Sequence, residues 1–357
     1  MTIAAILDSI SQHRFATYQS SVFNGATPEE CLGIYLWNKQ LAGAFLPALQ
    51  VIEVSLRNAI CVAKQTFEEQ EIERIHPINT WEQRKRNIDS KWFVTVMTQA
   101  NNRLSYNSIK SAERQLLRDG KNLTTENLIS KLTLGFWVSL VDKMYDSTHR
   151  NAVPYLSLWP HLTPLVFPHA VKNGKSLALN RIGSDLRDIN TLRNRISHHE
   201  PLWRSDKTYS VEQAINKVAR EYNRCLEVIR WINPSNLKLL SIIENAQKVN
   251  ELCNPHSLWK NKKLPAGLSE LDLIDNEAWL GNVLLETRHV GKIVNINIPS
   301  NIAMIHSEKD GNTFAALGPA FVGGINTYML NERVSFEPER GAGQGAQPVA
   351  VSVKKVI

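Results

Sequence analysis

Apolar residues recur along most of the chain at the three- and four-residue spacings of helices that face a core. The first 30 residues mix short apolar patches with Gly25 and Pro28 and begin with a short helix. From Cys31 the positions Leu32, Tyr35, Leu36, Leu41 and Phe45 predict a helix, with Tyr35 and Trp37 in the core. Pro47 suits the first turn of a second helix over Pro47–Phe67. That stretch carries Leu49, Val51, Ile52, Val54, Leu56, Ile60 and Val62 around most of its circumference, the mark of a central bundle helix. Glu68–Asn87 is charged and turn-rich. Helical spacing resumes over Ser90–Leu104 and Asn107–Arg118, and Thr124-Thr125-Glu126 can cap a long apolar helix over Glu126–Tyr145. Thr148–Val171, rich in proline and aromatics, reads as a structured loop. Beyond it, Ile182, Leu186, Ile189, Leu192 and Ile196 form one apolar stripe, and helices over Ser210–Ile232 and Ser235–Asn250 follow.

The pattern changes near residue 261. Ten of the 17 glycines fall in the last 97 residues, and Ile293–Ile298 and Val349–Val353 alternate as strands do. Gly341–Gly345 reads as a flexible loop. The expected architecture is mainly α, a helical bundle with extra helices over residues 1–260, plus a small β-rich module over 261–357.

Composition narrows the function classes. The net charge is +7; residues 1–260 hold 32 Lys and Arg against 24 Asp and Glu, and residues 261–357 hold nine against ten. A basic main body favours polyanionic partners, nucleic acid first. Four cysteines without CxxC spacing fit buried thiols in a reducing compartment rather than a disulfide framework or a zinc site. No run of 18 apolar residues is present and residues 1–19 do not read as a secretion signal, so a cytoplasmic chain with no membrane partner is expected.

The densest chemistry lies in Leu192–Pro201, which gathers Arg193, Asn194, Arg195, His198 and His199 at the end of a helix. A histidine can move a proton to or from a ribose hydroxyl near neutral pH, and a guanidinium fork can hold a phosphate. The same residues are also what a helix C-terminus favours electrostatically. Arg193 and His198 stand about 140° apart on a regular helix, so their meeting needs the last turn to distort, which Pro201 encourages. No P-loop, GxSxG or metal-ligand spacing accompanies the stretch, so no metal and no cofactor are expected.

Arg193-Asn194-Arg195-Ile196-Ser197-His198 resembles the Arg-polar-x-x-x-His signature of HEPN domains, and the fuller Leu192–Pro201 resembles that of Abi-like (abortive infection) proteins. Glu53 with Arg57-Asn58 is similar to that family's first-helix motif, and Leu134-Gly135-Phe136-Trp137 to its middle-helix signature. The resemblance covers roughly residues 30–235. It implies a metal-independent endoribonuclease of anti-phage defence or toxin type, commonly a homodimer in which Arg-x4-His pairs meet across the interface. By this resemblance Arg193 binds the phosphate, Asn194 supports it, and His198 is the acid or base, with His199 the competing histidine. Glu53, Arg57 and Asn58 would orient the pair; the equal alternative is an ordinary buried ion pair between Glu53 and Arg57, four apart on one helix with Glu first. Arg195, Arg204 and Trp203 would contact RNA, Trp203 by stacking. His161 and His169 lie in the proline-rich loop without partner spacing, and no ligand role is expected of either. An antitoxin or a phage-derived trigger is the expected protein partner. Two other readings compete: a non-catalytic HEPN module that binds RNA or protein, and a scaffold whose C-terminal module senses a phage component.

Overall fold

The structure, a computed structural model, describes residues 3–10, 12–23, 25–98, 102–153, 156–267, 288–339 and 348–356. The chain divides into two compact units, Met1–Ser269 and Glu270–Ile357. The first is helical and the second a β-barrel, so the protein is mainly α with a β C-terminal part.

The helical unit is built around one element. After α1 (Ile3–Ile10) and α2 (Gln12–Ala16), α3 runs unbroken over Pro28–Ile75. Thr27 and Glu30 form a reciprocal capping box at its start, with Pro28 in the first turn. The expected break at Pro47 does not occur. An internal proline forfeits one backbone bond and costs about 3 kcal/mol. Each fully buried Leu, Ile or Phe returns roughly 1.5–3 kcal/mol, and Leu41, Phe45, Leu49 and Ile52 are all buried around the proline. Packing therefore carries the helix through. Residues 68–75, expected as part of a turn-rich passage, continue the same helix until His76, extended ahead of Pro77, ends it.

The all-round burial expected of Pro47–Phe67 is also corrected. One stripe, Ala48, Leu49, Ile52, Leu56, Ile60 and Ala63, is buried, while Val54 and Val62 are 43% and 64% exposed. By length and composition alone α3 is apolar enough to cross a membrane. The central helix of a bundle satisfies the same criteria, and this one is packed on several sides.

Short helices follow: α4 (Trp81–Arg86), α5 (Trp92–Val96), α6 (Arg103–Arg118), α7 (Thr125–Lys131) and α8 (Leu134–Ser139). The single helix expected over Glu126–Tyr145 is thus two. Leu132 and Thr133 are extended, and the chain leaves helix again after Ser139. Thr148–Val171 is a loop as expected, enclosing a four-residue α9 (Thr163–Val166); Pro154 lies outside the described residues. A small hairpin, β1 (Val171–Lys172) and β2 (Lys175–Ser176), precedes α10 (Leu179–Ser197) and α11 (Val211–Ile232).

The helix expected over Ser235–Asn250 divides into α12 (Leu237–Ile242) and α13 (Asn245–Leu252), with Glu244 left-handed between them. Then α14 (Pro255–Lys263) crosses α3 at Gly33, where a Cβ would sit 2.2 Å from the Asn261 carbonyl. Only glycine permits that approach. Helices α4, α8, α9, α10, α11, α13 and α14 all pack on α3.

The second unit contains β3 (His289–Asn297), β4 (Ile302–Ser307), β5 (Thr313–Leu317), β6 (Arg333–Glu339) and β7 (Val349–Lys355). They close in the order β3-β4-β5-β7-β6, every pair antiparallel except β5 with β7. Alternate residues point inward, so Ile293, Ile305, Phe314, Val334, Phe336 and Val353 fill the barrel. The Gly341–Gly345 loop lies outside the described residues.

Candidate functional site

Helix α10 carries the candidate motif and ends within it. His198 is the C-cap residue, its N–H bonded to the Asn194 carbonyl at 2.9 Å. His199 follows with φ +58°, donating to the Ile196 carbonyl at 3.0 Å, and Glu200 donates to the Arg195 carbonyl at 2.8 Å. These two bonds define a Schellman turn, with histidine in the left-handed position that glycine usually fills. Histidine tolerates that region better than most non-glycine residues. The distortion expected before Pro201 is therefore present, and it throws both imidazoles off the helix end.

Beyond the turn, Asn38 of α3 secures the chain. Its amide donates to the Glu200 carbonyl at 3.4 Å and its carbonyl accepts from Leu202 N–H at 2.9 Å, one bond on each side of Pro201. Asn38 is buried on the stripe that holds Ile34, Leu41 and Phe45. A polar residue on an apolar helix stripe was the signal that could have found it.

Trp203 is buried, not available for stacking on RNA. Its ring packs edge-on against Phe23 at 4.8 Å and Tyr18 at 6.2 Å. The correction has a physical reason: Trp203 is the anchor that ties residues 15–23 to the chain after the motif. Phe15, Tyr18, Val22 and Phe23 are buried with it, and the Arg204 guanidinium donates to Thr17 Oγ1 at 3.5 Å.

This anchoring builds a cleft of about 370 Å³. One wall is His198, His199, Glu200 and Pro201; another is His13, Arg14 and Thr17; Arg195, Arg204, Ser205 and Asp206 complete it. Arg195 is held by donating to the Arg204 carbonyl at 3.0 Å, with its Nε 3.5 Å from Glu200. His13 and Arg14 were not singled out in the sequence. Their only sequence signal is the spacing of Phe15, Tyr18 and Val22, an apolar stripe that leaves both facing away from the core.

Arg193 and Asn194 do not line this cleft. Two helical residues apart are rotated by about 200°, so Arg193 and Arg195 leave α10 on opposite sides. Arg193 is half-buried beside Ile189 and Ile196 and makes no hydrogen bond or ion pair among the described residues. The structure does not join Arg193 to His198 within one chain. Nor do Glu53, Arg57 and Asn58 reach the cleft. Glu53 lies 15 residues along α3 from Asn38, roughly 22 Å at the helical rise. The expected Glu53–Arg57 ion pair is absent among the described residues, and Arg57 Nε is buried without a partner. Asn58 instead lines an apolar groove of about 700 Å³ between α3 and α12, with Val54, Val62, Leu239 and Ile243.

On its other flank α10 meets α11 in a paired-charge seam. The buried carboxylate of Asp185 accepts from Arg181 Nε at 2.6 Å and faces Arg224 Nε at 3.2 Å. Arg224 also reaches Glu221 at 2.5 Å and Asp188 at 3.3 Å, and Lys217 lies 3.4 Å from Glu221. Burial pushes the Lys217 ammonium below the ordinary lysine range, partly opposed by Glu221. Among the described residues no cluster of three or more His, Cys, Asp or Glu is arranged to hold a metal ion. His161 stacks on Phe67 at 5.3 Å.

A family model described as Abi-like protein matches residues 5–204, more than half the chain. The chain belongs to the Abi-like family. That family is linked to abortive-infection defence. The match spans α2, α3 and α10 through Arg204, so the Abi-like region contains every residue lining the cleft except Ser205 and Asp206. The barrel lies outside it. No curated protein and no solved structure matches the chain.

Proposed function

We propose that this Abi-like chain is a HEPN-type, metal-independent endoribonuclease acting in anti-phage defence or as a toxin. The observation that carries the reading is the convergence of His198, His199, Arg195 and Arg204 on one open cleft in the basic unit. A phosphodiester bound there would lie between guanidinium donors and imidazoles. An imidazole accepts the proton of the ribose 2′-hydroxyl, whose oxygen attacks phosphorus. The P–O5′ bond breaks as the leaving oxygen gains a proton, giving a 2′,3′-cyclic phosphate and a 5′-hydroxyl. Arg193 and Asn194, outside the cleft of their own chain, would join the chemistry in a homodimer that sets two motifs face to face.

The test uses the full chain, RNA and excess EDTA. Wild type is expected to cut, and His198→Ala and His199→Ala identify the working histidine by loss of about 10²–10⁴-fold in rate. Undiminished cleavage in both single variants overturns the reading. A second reading, a non-catalytic HEPN module that holds RNA or a protein, is favoured by the separation of Arg193 from His198. It requires a mobility shift of RNA, or capture of a partner, with no cleavage.

A further inference from the structure

Resting on the ribonuclease reading, we infer that His13 supplies the second proton-transfer group of the reaction and Arg14 a further phosphate contact, both from the N-terminal segment. Cleavage by 2′-hydroxyl attack moves two protons, one off the attacking oxygen and one onto the departing 5′ oxygen, and a rapid reaction needs a group for each. The α10 turn offers two adjacent imidazoles, but both lie on one wall. His13 stands on a different wall of the same cleft. A phosphate seated in the cleft would meet imidazoles from two separate chain segments, and an in-line displacement uses one on each side of phosphorus.

The surroundings suit that role. His13 and Arg14 are exposed, so neither is committed to the core. Arg14 makes no ion pair among the described residues, whereas Arg195 already leans on Glu200. The backbone that carries them is fixed from below: Phe15 and Tyr18 are buried, and the Cys31 thiol donates to the Tyr18 carbonyl at 3.2 Å. Charged groups facing His13 are Arg14 on its own element, Arg195 and Glu200 from the end of α10, and Arg204 and Asp206 from the chain beyond. In the balanced step, one imidazole takes the 2′-hydroxyl proton as the 2′-O–P bond forms. The other, starting protonated, gives its proton to O5′ as the P–O5′ bond breaks.

The experiment measures kcat/KM against pH for wild type, His13→Ala, Arg14→Gln and His198→Ala, on an RNA oligonucleotide the wild type cuts in EDTA. Wild type should give a bell. His13→Ala should lose about 10²–10⁴-fold and one limb of the bell, keeping the limb that belongs to the α10 histidine. Arg14→Gln should raise KM by about tenfold with kcat little changed, the signature of lost ground-state and transition-state binding alike. A His13→Ala enzyme as active as wild type, or one slower with both limbs intact, overturns the inference while the ribonuclease reading stands. Absence of cleavage by wild type overturns both. Thermal unfolding of each variant is read alongside, and an unchanged midpoint is expected for these exposed positions.

Discussion

Two charged neighbourhoods share α10, and they differ in how their cations are satisfied. At the seam with α11, Arg181, Arg224 and Lys217 each have a carboxylate within 3.4 Å, and Asp185 is buried between two arginines. At the cleft, among the described residues, Arg14 has no ion pair, the Arg204 guanidinium has only the Thr17 hydroxyl, and His198 and His199 have no side-chain partner. Identical side chains thus do different work. Paired and partly buried, they fix how two helices cross; unpaired around a cavity, they remain able to meet an anion. Arg195, which lines both places, leans toward the cleft through Arg204 and Glu200.

That contrast can be broken or sharpened by substitution. The largest effect belongs to the cleft: the double variant His198→Ala, His199→Ala should lose RNA cleavage by at least about 10²–10⁴-fold. Its stability should change little beyond the backbone effect at residue 199. A large fall in urea midpoint would make the cleft another structural site. Next is Trp203→Ala, which removes the anchor between the two walls and should cost about 3–5 kcal/mol, read from chemical denaturation. Cleavage should fall with it even at temperatures where the variant remains folded.

At the seam, Asp185→Ala should destabilise by roughly 1–3 kcal/mol with cleavage per folded molecule unchanged. Lost activity there would show that the seam also positions the cleft. Smaller still is the backbone test at the left-handed residue. His199→Gly should match or exceed wild-type stability, whereas His199→Ala should lose about 1 kcal/mol. Least of all should Lys217→Met matter. Its ammonium is already disfavoured by burial, and Glu221 keeps Arg224, so the unfolding free energy should stay within about 1 kcal/mol of wild type. The sign is definite: burial lowers the folded pKa of Lys217, so its charged form opposes folding, and any gain from Met should shrink as pH rises through that lowered pKa.

Much of this was readable from residue order. The stripe Ile182–Ile196, the helix of residues 211–232 and the strands near 293–298 and 349–353 follow from periodicity, because burying one face imposes a 3.6- or two-residue repeat. The Schellman turn was half legible: Pro201 announced an end to the helix, but not that His199 would take the left-handed position. The unbroken α3 was illegible, since a proline's local penalty is visible in the chain and the flanking burial that outweighs it is not. Trp203 misled because a tryptophan beside arginines suits both an RNA platform and a core anchor, and only its neighbours Tyr18 and Phe23 separate the two.

The motif's membership and its place at a helix end were settled by residue order, because helix phase and capping are local properties. Which of its residues line one cleft was settled by packing. Arg193 and Arg195 stand two apart in sequence and leave opposite sides of α10. Thr17 and Arg204 lie 187 positions apart and share a hydrogen bond. Contacts of that separation depend on how aromatic rings from two distant segments fit one buried space, and no spacing along the chain records it.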